Sequence, residues 1–151
     1  MVYWLLFLIS FNMSCVGVVY MYFRKKKKLL DIRFVVTLLL TYPPLVSLIN
    51  GMLIFFIGIN VFSSVILAGF LGLLIGGLIG TLFNLVTFSL SSLISFYFGL
   101  MGPMIATPLI APILCGIFTA GDSYTYILLL SSLGTLLIVV FSLLYIKILR
   151  G

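Results

Sequence analysis

Asp31 and Asp122 are the only carboxylates in the sequence, and histidine is absent. Hydrolysis of the glycosidic kind needs two carboxyl groups a few ångströms apart. Here the pair is separated by long apolar segments that predict opposite faces of a membrane. Asp31 has Lys28 and Arg33 beside it, which suits an ion partner at an interface better than a catalytic acid. Without histidine the usual general base is missing, and none of the many serines has a base in view to activate it. The sequence therefore predicts no enzyme. Met101, Met104 and Cys115 are soft ligands of the type copper(I) accepts. No CxxC and no methionine-dense run accompanies them, and methionine is a common filler of irregular apolar space. Cys15 and Cys115 sit in apolar surroundings as packing residues, with no disulfide framework. No metal and no cofactor is expected.

What remains for chemistry is uncharged. The stretch "GPMIATPLIAPILCG" carries Pro103, Pro108 and Pro112, each of which frees a backbone carbonyl by removing an N–H. Channels select through carbonyl groups, and broken helices frame binding sites in transporters. Ser95, Gly99, Pro103, Thr107, Pro108 and Pro112 are thus the candidate lining of a passive pathway. Ion-coupled pumping marks itself by ionisable residues inside the membrane, and no apolar segment holds one.

The elements that position these residues are membrane helices. Hydrophobic residues make up 64% of the chain and charged residues 7%, with a mean hydropathy of +1.46. A soluble domain is about 25% charged. The fold class expected is an all-α integral membrane protein, a single domain over 1–151 with five crossings at about 2–23, 34–57, 61–83, 87–102 and 124–149. Segment two contains "TYPP" (Thr41 to Pro44), where a kink or break is expected. The piece from 103 to 119 has two readings. Either one long helix is kinked at Pro103, or the crossing ends near Leu100 and a broken or re-entrant segment follows, tolerated only where it is buried or lines a wet cavity.

Orientation follows from charge. The net charge of +6 is concentrated in Arg24, Lys25, Lys26, Lys27 and Lys28, with Arg33, Lys147 and Arg150 elsewhere. In a soluble protein that run would suggest nucleic acid. After an apolar segment it reads as a cytoplasmic anchor under the positive-inside rule, drawn to anionic headgroups. Five crossings with the N-terminus outside and the C-terminus cytoplasmic place every basic residue on one side and Asp122 on the other. The uncharged start, "MVYWLLFLIS", lacks the basic n-region of a cleavable leader, so the first helix is expected to be retained. "NMSC" does not read as a lipid-attachment site. A bacterial cytoplasmic membrane fits this pattern.

The third segment holds five glycines, at 69, 72, 76, 77 and 80. At about 100° per residue, Gly69, Gly72, Gly76 and Gly80 fall within an arc of about 80°. Small residues on one face let a second backbone approach, and close packing replaces the hydrophobic drive that lipid cannot supply. Ser64 and Ala68 extend the face as a glycine zipper with a four-residue repeat. Segment four repeats the spacing at Thr87, Ser91, Ser95, Gly99, Pro103 and Thr107. Segments three and four are expected to pack together, within one subunit or between subunits. The leading functional expectation is a small self-associating membrane protein, a homo-oligomeric passive channel or facilitator for an ion or small solute. The alternative is a non-catalytic accessory or assembly subunit of a larger membrane complex. A lysis protein would need far less sequence than five crossings.

Overall fold

The computed structural model describes residues 2–26, 32–57, 60–110 and 123–148. These form α1 (Val2–Lys26), α2 (Ile32–Phe56), α3 (Val61–Gly80), α4 (Leu85–Ile110) and α5 (Ser123–Ile148). Each contains a stretch of 20 to 24 residues long and apolar enough to cross a membrane, which takes roughly 20 residues. The chemistry of α3 is inside-out relative to a soluble helix. Phe62, Phe70, Leu74 and Leu78 are exposed, whereas Ser64, Gly72 and Gly76 are buried. Large apolar side chains suit lipid as solvent, and small ones suit a neighbouring backbone.

Helix α2 is the centre. In its most apolar window 72% of residues are buried, against 28–44% in the other four helices, and it packs on all of them. Contacts fix the relative directions. Gly51 packs on Ala68 and Ser47 on Gly72, so α2 and α3 run antiparallel. Ser47 meets Ser95 and Gly51 meets Gly99, so α2 and α4 run parallel. Thr41 meets Tyr145 and Ile49 meets Gly134, so α5 is antiparallel to α2. Helix α1 packs on α2 and is joined to it through residues 27–31 alone, too short a link for anything but an antiparallel pair. The C-terminal ends of α1, α3 and α5 therefore lie together with the N-terminal ends of α2 and α4. Arg24, Lys25, Arg33 and Lys147 are exposed at that end.

The four prolines among the described residues do not break their helices. Helix α2 runs unbroken through Pro43 and Pro44. Helix α4 continues through Pro103 and Pro108 to Ile110, which favours the reading of one long helix over the one that ends the crossing near Leu100. Beyond Pro103 the helix is braced by the Thr107 hydroxyl, which donates to the Pro103 carbonyl at 2.8 Å. Pro103 deprives the Gly99 carbonyl of its helical donor. That carbonyl lies against Gly51, where a built Cβ would come within 2.8 Å of it. A glycine Cα–H on the next helix thus covers the orphaned oxygen, and the helix proceeds. Residues 111–119, with Pro112 and the rest of the expected re-entrant segment, lie outside the described residues.

Candidate functional site

The bundle has two candidate places, and only the first brings together site residues singled out by sequence. The first is the seam of α2, α3 and α4. A Cβ on Gly76 would lie 2.5 Å from the Ser91 carbonyl oxygen, and one on Gly80 would lie 2.6 Å from the Phe88 Cα. A Cβ on Gly72 would collide with the Ser95 carbonyl and the Ser47 hydroxyl, and one on Gly99 would come within 2.5 Å of the Ala68 carbonyl. The α3–α4 pairs 76/91, 72/95 and 68/99 share one register, each sum being 167, so the two four-residue repeats mesh along their length. Gly69 faces Leu100 and Phe96 of α4. Ser64 is buried, its hydroxyl donating to the Val61 carbonyl at 2.8 Å. The glycine face is thus occupied inside the chain. Ser47 donates to the Ser95 carbonyl at 2.7 Å, while the buried hydroxyls of Ser91 and Ser95 find no hydrogen-bond partner among the described residues. The contacts at Gly72, Gly76 and Gly99 close this line among the described residues, and Ser95 and Gly99 pack within it. Pro103 is buried on the same seam, and Thr107 is half-buried.

The second place is a cleft of about 500 Å³ between α2 and α5, with Phe98 of α4 at its side. On α2 it runs from Leu40 to Phe56, and on α5 from Leu130 to Phe141. At 1.5 Å per residue the α2 wall is about 24 Å long. One end is shut. The Thr41 hydroxyl meets the Tyr145 hydroxyl, and the Tyr42 hydroxyl lies 3.0 Å from the Ser142 Oγ. Phe34 and Tyr42 set their edges against Tyr145 in the same cluster. The flank is open, because α4 and α5 scarcely touch. Among the described residues two lining side chains carry hydroxyls, and both donate within the protein: Thr41 to the Thr37 carbonyl at 2.9 Å, and Ser131 to the Leu128 carbonyl at 3.0 Å. An apolar pocket of a few hundred Å³ with sparse polar groups has the form of a small-ligand site.

Several contributors escaped the sequence reading. Ser47 and Gly51 of α2 carry the same four-residue spacing as α3, a signal that was present. Asn12 is fully buried on α1, and both ends of its amide lack a partner among the described residues. Asn50 donates to the Val46 carbonyl at 2.9 Å but leaves its own oxygen unpaired there. Met101 and Met104 point outward on α4. Cys115, Asp31, Asp122, Lys27 and Lys28 lie outside the described residues, and of Lys26 and Pro108 only the backbone is described. Comparison of the chain with protein-family models, with curated proteins and with solved structures finds no match.

Proposed function

We propose that this chain is a small, non-catalytic membrane protein that acts as a passive facilitator for an amphiphilic solute. The observation that carries the reading is the cleft between α2 and α5, open on its flank and apolar along its length. The solute's apolar body enters it sideways from the bilayer while its polar end stays at the membrane surface or crosses alongside. The closed seam argues against an ion path through one copy of the chain. The basic end faces the cytoplasm, held by anionic headgroups, with the N-terminus outside, in a bacterial cytoplasmic membrane. The test is reconstitution in liposomes carrying a phospholipid with a dye on its headgroup, followed by addition of a membrane-impermeant reductant. Facilitation bleaches inner-leaflet dye as well as outer, without potassium conductance. Bleaching confined to the outer leaflet would sink the reading.

One observation favours a second reading, an accessory or assembly subunit. Gly17 of α1 has nothing within 4 Å of where its Cβ would be, and Ser10 and Ser14 are exposed one turn apart on the same helix. Such a face suits docking of another helix, from a second copy or from a larger complex. Gentle-detergent purification with intact-mass measurement separates the cases. A stoichiometric foreign chain lost on Gly17→Leu supports this reading, and a lone monomer discards it.

A further inference from the structure

The cleft between α2 and α5 offers its occupant no hydrogen-bond donor, because Thr41 and Ser131 are both committed within the protein. The rest of its described lining is apolar, which suits a hydrocarbon occupant. Its size decides between a helix and a chain. Spread along about 24 Å, the 500 Å³ present is far narrower than the section of a helix about 10 Å across, which could lay only one edge in it. A single extended hydrocarbon chain fits this length and narrow section.

Depth and access give the direction. Arg33 and Phe56 bracket the membrane-spanning part of α2, so the bilayer midplane falls near Pro44 and Leu45. The cleft begins at Leu40 and ends at Phe56, most of it on the side away from the basic end. The hydroxyl pairs of Thr41 with Tyr145 and of Tyr42 with Ser142 close it toward the basic end. Among the described residues the side left open is the flank between α4 and α5. We propose that the cleft is a binding site for one acyl chain of a phospholipid from the leaflet opposite the basic end, taken in through the gap between α4 and α5. This rests on the facilitator reading and names the solute class as membrane lipid.

The probe is phosphatidylcholine with a diazirine at the end of one acyl chain, present in trace amount in phosphatidylcholine nanodiscs holding the full chain. After illumination, adducts should concentrate on Leu48, Met52 and Leu133, several-fold above the exposed α3 residues Leu74 and Leu78. Leu133 is 55% exposed, so Leu133→Trp fills the cleft without disturbing the core, and Leu130→Trp serves as a second filling variant. Either should lower cleft adducts at least fivefold, while Leu78→Trp leaves them unchanged. Adducts no denser in the cleft than on α3, or insensitive to both filling variants, overturn the proposal. Binding of N-phenylnaphthylamine, a small apolar fluorophore, separates the two levels. If Leu133→Trp blocks the fluorophore although lipid adducts never favoured the cleft, the lipid assignment falls and the facilitator reading stands. If neither probe enters, both fall.

Discussion

At the scale of single residues, the bundle separates glycines that must be glycine from one that need not be. A methyl at Gly76 would press on the Ser91 carbonyl at 2.5 Å, a backbone atom that cannot rotate away. Overpacking of this kind costs about 1–3 kcal/mol, so Gly76→Ala should lower resistance to denaturing detergent by about that much. Gly17→Ala meets open space and gains up to about 1 kcal/mol of helix propensity. The pair, measured by circular dichroism in mixed micelles, tests the seam directly, since equal effects would mean that the helices do not meet as described. Asn12 gives a prediction of the opposite sign. Its amide is fully buried with both ends unpaired among the described residues, and an unmade hydrogen bond in such a place costs about 1–3 kcal/mol. Asn12→Leu should therefore stabilise the fold in the same assay. A loss of stability would show that the amide has a partner the bundle supplies at some other moment.

At the scale of helices, the contact of α5 with α2 rests on few points, and these carry testable geometry. The built Cβ of Gly134 lies 3.2 Å from Cγ2 of Ile49, the place a sulfur on residue 49 would take, which brings a disulfide within reach. In a background of Cys15→Ser and Cys115→Ser, cysteines at 49 and 134 should cross-link on mild oxidation, and cysteines at 49 and 145 should not. The hydroxyl pair of Tyr42 with Ser142 is buried, and such bonds inside membranes couple by about 0.6 kcal/mol on average. A double-mutant cycle of Tyr42→Phe and Ser142→Ala should return that order of coupling. The presence of five long apolar helices among the described residues was legible, because an apolar run of bilayer length has few alternatives. The continuation of α4 through Pro103 was not. Whether a proline ends a helix depends on what covers the orphaned Gly99 carbonyl, and the cover is Gly51, 48 residues earlier by number (99 − 51) and on another helix. The cleft was equally hidden, since it exists only because α4 and α5 stay apart.

At the scale of the whole molecule, alternation of direction puts residue 25, the α3–α4 connection and residue 147 at one end, and residue 60 at the other. Single cysteines at positions 25, 84 and 147 should react with an impermeant maleimide from the same side of an intact membrane, and a cysteine at 60 from the opposite side. Any other partition would refute the arrangement. The charge pattern leads to the same expectation, because the four exposed basic residues Arg24, Lys25, Arg33 and Lys147 lie at helix ends that the packing groups together. The partner of each small-residue stripe was less legible. Spacing announces a face without naming what it meets, and here α3 meets α4 and α2 of its own chain.

The meshed repeats of α3 and α4 have a kinetic corollary. Both recur every four residues, so sliding one helix past the other by a single turn, about 6 Å, again sets small residues opposite small ones: Gly76 against Ser95, Gly72 against Gly99. The small-residue spacing alone would admit either notch, while the observed one is also held by Ser47 and Gly51 of α2. The notch is chosen by the short tether at residues 81–84, where the Thr87 hydroxyl accepts from the Asn84 N–H at 2.9 Å, and by Phe88 lying on Gly77. Four residues inserted into that tether should release the catch, and cysteine pairs placed for the two notches would then cross-link as two coexisting populations.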